Sequence, residues 1–378
     1  MTSLKCALCE IVITQDNGTK EHIIPNSIGG KKKVKGFICE SCNNRSGNTW
    51  DSTLATQLSP LSLLFDIKRE RGEVKPNTFT TIKGEKITLR ANGAMTLGSQ
   101  SFRQTPIEGG GTQFSGKAQT MSQAKYILKN MKKKHPDLDI DSISGSLKEN
   151  SIYCEDEIVF DISFGGHEAG RSLVKSAVAW AFESGISLEE CDEAIYYLKN
   201  PNAEKCFGYF YKSDLVKNRT KGVPIHCISV KGCSKKKQLI AYIEYFGTYR
   251  IIIRLGSNYQ GKDTISTYGI NPMTGQTIDL KVDINLSDDE IIETYNYQSI
   301  CEDKIEEALS EVISTAQQIS SMKEADRVAN ISVDEAFKQC GVKEGEALTD
   351  ENKRKFVDSI LNSETLNSFL MHGLKNRD

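Results

Sequence analysis

No stretch of this 378-residue chain is apolar for long enough to span a membrane, and its first residues do not read as a signal peptide. No membrane-spanning helix is expected, and the cytosol is the expected compartment. Without a secretory context the 11 cysteines are not expected to form disulfides. No long heptad and no internal repeat is found. A net charge of −2, with 38% apolar and 26% charged residues, is ordinary for a globular protein. The length allows two or three domains with a sizeable core. The charge is informative only when divided. Residues 1–75 carry 11 Lys/Arg against 8 Asp/Glu, residues 286–378 carry 10 against 20, and the stretch between them is left at +5. Nucleic acid should meet the N-terminal and middle regions, because phosphate repels the acidic end.

What is present is concentrated between Cys6 and Asn48. Two Cys-x-x-Cys pairs, Cys6/Cys9 and Cys39/Cys42, frame Glu21-His22, Pro25, a Gly29-Gly30 turn and a run of lysines. Thiolates at this spacing grip a tetrahedral zinc, since a tight turn aims both sulfurs at one point. Two pairs complete a closed four-thiolate site with no open position, which reads as structural. A redox pair or two chance pairs are the alternatives. The other seven cysteines are scattered and read as free thiols behaving as small core residues.

The order Glu-His-Ile-Ile-Pro, Asn-Ser-Ile-Gly-Gly, then Cys-Glu-Ser-Cys-Asn-Asn-Arg-Ser-Gly resembles the HNH (ββα-metal) endonuclease family over about the first 70 residues. The resemblance implies that Glu21 is a catalytic-metal ligand, His22 the general base and Asn43 a second metal ligand. Three positions depart from the family pattern: Glu21 stands where Asp is more frequent, Ser46 where a lysine is common, and the motif's final histidine is missing. The chemistry asks for the same residue types. Hydrolysing a phosphodiester needs a water deprotonated near neutral pH, which imidazole can do. It also needs a divalent cation on the phosphate, and hard carboxylate and amide oxygens suit Mg²⁺ or Mn²⁺. Lys31, Lys32, Lys33, Lys35 and Arg45 are candidate contacts to the nucleic-acid backbone. A solvated loop is the bland alternative.

Further along, Trp50–Arg71 has apolar residues near helical spacing, interrupted by Pro60. Short strands are expected from Thr78 to Gly116, with Asn92-Gly93 as a hairpin signal and Gly109-Gly110-Gly111 as a flexible loop. Met121–Lys134 reads as a helix and Glu157–Phe164 as a strand. A glycine-rich stretch, Gly165–Gly170, leads into the most apolar helix, about Arg171–Ser184, expected to be central and buried. Its glycines point to close packing against a sheet more than to anion binding, and His167-Glu168 resembles a second catalytic pair only superficially. Capping boxes are expected at Ser187/Glu190, Ser287/Glu290 and Ser332/Glu335. Between them lie strands at Gly208–Tyr211, His226–Val230, Gln238–Phe246 and Tyr249–Leu255, with Leu239, Ala241, Ile243 and Tyr245 forming one buried face.

The expected fold class is α+β: a small zinc-stapled ββα-metal domain over 1–75, a larger middle domain with antiparallel strands over 76–285 that senses or targets, and an acidic helical region over 286–378. The expected function is metal-dependent HNH endonuclease activity on nucleic acid, with double-stranded DNA as the expected form. Structural Zn²⁺ and catalytic Mg²⁺ or Mn²⁺ would be the cofactors. Family architecture associates such chains with restriction or anti-phage defence. Two other readings stay open. One is a non-catalytic zinc module binding nucleic acid or protein. The other is a nuclease subunit active only when a partner, or a second copy, engages the C-terminal helices.

Overall fold

The computed structural model describes residues 4–375 except 71, 92, 146, 148–152, 155, 160–162 and 344. The chain is mixed α and β, and it divides into two compact units that interleave along the sequence: Met1–Lys75 with Asp161–Gln317, and Pro76–Phe160 with Gln318–Asp378.

In the first unit the N-terminal frame is an antiparallel hairpin, Gly18–His22 against Lys33–Cys39, followed by the helix Glu40–Ser46. A π-helical turn, Gly47–Asp51, continues into Ser52–Gln57. The break expected at Pro60 is found at Leu58. Pro60 then sits in the first turn of Ser59–Leu64, where its missing N–H has no helical partner to lose.

The remainder of this unit is an antiparallel sheet of six strands in the order Thr277–Ile278, Thr264–Ile270, His226–Cys233, Gln238–Tyr245, Tyr249–Gly256, Phe207–Tyr209. Thr264–Ile270 is a strand the sequence reading did not identify. The expectation of a single buried face on Gln238–Tyr245 is corrected, since all eight of its residues are buried. Ile240 and Tyr242 pack with Phe210, Ile252, Val282 and Ile291 in one cluster. The helix Gly166–Glu183 packs on the central strands, with the Trp180 indole N–H donating to the Ser266 carbonyl (3.0 Å). A strand covered on both sides loses its polar–apolar alternation. Each fully buried aliphatic side chain here contributes about 1.5–3 kcal/mol relative to exposure.

The glycines before this helix do serve close packing. Gly165 has φ of 109°, and a Cβ there would meet the Tyr209 hydroxyl at 1.8 Å; one on Gly170 would meet Phe207 at 2.4 Å. The Gln57 amide pairs with both the N–H and the carbonyl of Gly165 (2.9 and 2.8 Å), so this helix start is engaged by protein.

In the second unit the strands Asn77–Thr81, Lys86–Leu89, Met95–Leu97 and Ile158–Val159 form a small sheet. Asn92 lies outside the described residues, as do 160–162 of the strand expected at Glu157–Phe164. The run at Gly109–Gly111 is a tight hairpin turn, with positive φ at Gly109 and Gly110, joining Ser101–Ile107 to Gly111–Lys117. The helix Met121–Lys134 follows as expected. At the C-terminus come helices Asp350–Leu361 and Glu364–Lys375, after the long helix Glu302–Cys340.

The three capping boxes fare differently. Ser287/Glu290 forms in full. Ser187 caps a 3₁₀ turn through the Glu189 N–H, while Glu190 instead accepts from the Gln260 N–H. Ser332 lies inside Glu302–Cys340 and bonds Ser363 (3.0 Å), because the helix runs through without a break for it to cap.

His226 ties the sheet to the N-terminal frame. It is fully buried, its Nε2 is 2.7 Å from the Ile28 carbonyl, and its Nδ1 accepts from the Phe246 N–H (3.0 Å). That pattern fixes the neutral tautomer, and burial pushes its pKa down to about 4. An unfolded histidine titrates near 6.5, so stability is complete above that pH and is lost as pH falls towards 4, by on the order of 3 kcal/mol. We expect His226→Gln to melt below wild type at pH 7, and the gap to narrow steadily between pH 6.5 and 4 in thermal unfolding.

Candidate active site and metal centre

The first cysteine pair rides on a turn in which the Glu10 N–H returns to the Cys6 carbonyl (2.9 Å) and Glu10 takes a φ of 64°. Cys39 ends its strand, and Cys42 lies in the first turn of the following helix. The four sulfurs lie within 4.8 Å of one another, Cys9 and Cys39 being 3.6 Å apart. Sulfurs of a tetrahedral zinc, at a bond length of about 2.3 Å, are separated by roughly 3.8 Å. The donor set therefore fits zinc. The Cys39 N–H donates to the Cys6 sulfur (3.3 Å) and the Arg45 guanidinium to Cys42 (3.8 Å). Burial opposes ionisation of Cys6, but the N–H groups of Cys39, Cys9 and Leu8 hold its thiol down at about 7.

The strand Gly18–His22 turns Glu21 inwards and leaves His22 half-buried. Glu21 is 5% exposed, and its Oε1 accepts from the Lys175 ammonium at 2.5 Å. The same ammonium donates to Asp51 Oδ2 at 2.6 Å and lies 3.5 Å from Ser46 Oγ. Ser172, one turn earlier on the helix, donates to Asp51 Oδ1 (2.6 Å). Two carboxylates and one ammonium leave one formal negative charge. Burial, with Asp51 adding to it, leaves the Glu21 carboxyl above its ordinary range despite the pull of Lys175, while Asp51 and Glu21 together outweigh the burial of Lys175 and keep its ammonium charged. Ser46 occupies the position where the family commonly has lysine, and here an ammonium reaches that place from Lys175. The Asn43 amide nitrogen donates to Thr19 Oγ1 (3.0 Å), so its oxygen is the atom placed to act as a ligand.

His22 Nε2 stands 3.4 Å from Glu70 but makes no well-formed hydrogen bond among the described residues. Burial lowers the pKa of the ring, Lys33 adds to this, and Glu70 works against it. The ring is consequently neutral at pH 7 and carries a lone pair.

The basic candidates are largely engaged within the protein. Lys33 pairs with Glu70 (2.6 Å), Lys31 donates to the Lys68 carbonyl (3.2 Å), and Lys32 lies over Trp180 (5.0 Å) and near Glu183 (3.6 Å). Lys35 is exposed. His167 contacts the Pro201 carbonyl (2.7 Å), away from this cluster. Asp51, Glu70 and Lys175 were missed from sequence. Lys175 did carry a signal, a lysine in the middle of the most apolar helix.

Two outcomes follow from this geometry. Purified protein should carry zinc, and Cys39→Ser should lose it together with thermal stability, read by metal analysis and melting. Lys175→Met strands the buried carboxylate of Glu21 and the half-buried one of Asp51, and should cost about 3–5 kcal/mol in urea unfolding. Adding Glu21→Gln and Asp51→Asn to Lys175→Met should restore most of that loss.

No curated protein and no solved structure matches the chain. The family model described as HNH endonuclease matches residues 6–59, spanning all four cysteines, Glu21, His22, Asn43 and Asp51. Over residues 6–59 the chain is therefore similar to the HNH endonuclease family.

Proposed function

We propose that the protein is a metal-dependent endonuclease hydrolysing phosphodiester bonds of double-stranded DNA, with restriction or antiviral defence as its setting in the cytosol. The observation carrying this reading is a neutral, half-buried His22 beside the buried carboxylate of Glu21, inside the four-cysteine frame. His22 takes the proton of the attacking water, as a base that is uncharged at working pH. Glu21 and the Asn43 oxygen are the residues to hold Mg²⁺ or Mn²⁺, which when bound supplies charge neutralisation at the phosphate and leaving oxygen. Lys175 keeps Glu21 in place, and the residual negative charge of the trio favours a cation. The four cysteines hold structural zinc and position the hairpin. Lys35 and Arg45 remain candidates for the backbone of the nucleic acid, with Lys31, Lys32 and Lys33 nearby.

A second reading has its own support. Leu361, Leu370, Met371 and Leu374, on the C-terminal helices, are each at least half exposed. Such side chains suit a protein partner or self-association that switches the nuclease on.

Nicking of supercoiled plasmid tests the first reading. Wild type with Mg²⁺ or Mn²⁺ should nick, and EDTA or His22→Ala should lower the rate at least 100-fold with zinc retained. Equal activity of the two proteins would remove His22 from the role of base. The rate should fall as pH drops through a value below about 6.5, because protonated His22 cannot accept the proton. Glu70→Gln removes a charge that favours the protonated ring and should move that limb to lower pH. Lys33→Ala should move it upward.

A further inference from the structure

The second unit is neutral over all its residues, but its charge is unevenly spread: basic over 76–135, and acidic over 136–160, which holds one Lys against seven acids. Residues 76–135 hold ten Lys/Arg against two acids, Glu85 and Glu108. All ten basic side chains are exposed, and among the described residues only Lys117 makes an ion pair, with Glu85 at 2.8 Å. A merely solvated face intersperses both signs, as the C-terminal helices do with Lys353–Asp350 and Lys355–Glu351.

The shape beneath this charge is specific. The strands Ser101–Ile107 and Gly111–Lys117 make a two-stranded ribbon joined to no other sheet, and every residue of the ribbon's strands except Phe114 is exposed. Their register sorts the side chains. Phe102, Gln104 and Phe114 share one face, where the two rings stack (5.9 Å) and Phe114 and Gln104 meet His135 (5.0 and 3.2 Å). The other face presents Ser101, Arg103, Thr105, Gln113, Ser115 and Lys117, which can donate to phosphate or base edges, with the exposed Ile107 at its turn end. His135 immediately follows the helix Met121–Lys134, which buries Leu128 and Met131 and turns Lys125, Lys129 and Lys132 outwards at i, i+4 and i+7. An isolated two-stranded ribbon is marginal in water by itself. Here its aromatic side leans on the helix end, which leaves the polar side free.

We propose that this ribbon and lysine helix form a second nucleic-acid-binding surface, separate in sequence from the HNH segment, that takes duplex DNA with the ribbon in the major groove and the lysines on the flanking phosphates. The B-form major groove, about 12 Å wide, admits a two-stranded ribbon, and the deep, narrow groove of A-form RNA does not. The lysines supply affinity without sequence, and the hydroxyl and amide groups of the ribbon face supply hydrogen bonds to bases. This rests on the nuclease reading for its biological purpose only, because the surface itself is defined by charge and shape.

The test keeps binding apart from cleavage. Full-length His22→Ala in EDTA is titrated into a fluorescent 30-base-pair DNA duplex over a salt series, against the same protein carrying Lys125→Glu, Lys129→Glu and Lys132→Glu, and against Arg103→Ala. Circular dichroism and zinc content check folding. The triple variant should bind at least ten-fold more weakly, with the slope of log K against log salt reduced by about 0.9 for each phosphate no longer neutralised. Arg103→Ala should weaken binding while shifting that slope by no more than about 0.9, the value of a single phosphate. Unchanged affinity and slope in the folded triple variant would overturn the proposal. Equal or tighter binding of duplex RNA, or of single strands, would overturn the assignment of the ribbon to a B-form groove. Failure of the plasmid assay would count against the catalytic reading alone.

Discussion

The buried ammonium of Lys175 holds the candidate site together. It neutralises one of two carboxylates that come from opposite ends of the HNH segment, Glu21 from the first strand and Asp51 from the π-helical turn. Burial works against the charge of Glu21, and the ammonium at contact distance works for it. The placement of Glu21 thus depends on a distant helix, Gly166–Glu183, and that helix is held by the six-stranded sheet. Further ties run the same way: Gln57 to Gly165, Ser172 to Asp51 and His226 to Ile28. A Cβ on Gly29 would meet the Pro272 carbonyl at 2.9 Å, so the Gly29-Gly30 turn fits directly against the Asn271–Gly275 turn.

Two kinds of cross-link therefore share the work. The cysteine cluster fixes the base of the hairpin locally, joining two turns of the same N-terminal segment. The lysine fixes the reacting edge of the hairpin to the body of the unit. The first is closed and suits a structural ion. The second is an ion-paired cluster with more acid than base, reached by side chains from both the N-terminal segment and a distant helix.

The legible parts were those whose chemistry is set by spacing. Cys6, Cys9, Cys39 and Cys42 converge because each pair sits on one tight turn, and Ser287/Glu290 caps its helix because its partners stand at the Ncap and N3 positions. Gly165 and Gly170 were correctly read as packing residues. Features requiring long-range neighbours were harder to read. Asp51 and Glu70 show no local pattern, and Lys175 shows only its place in an apolar helix, since their contacts arise only when distant elements meet. Ser332/Glu335 matched a cap motif but lies within a continuous helix, and Gln238–Tyr245, read as having one buried face, is buried at every residue. His22, Glu21 and Asn43 came from resemblance to a family, and their catalytic roles are proposed on that ground.

The dependence of Glu21 on Lys175 also bears on how such a gene can change. The sequence motif ends well before residue 75, yet a fragment cut there keeps every motif residue and loses the one cation that makes Glu21 tolerable inside the protein. Moving the N-terminal segment onto a new carrier would therefore mean bringing along a helix that places an ammonium where Lys175 stands.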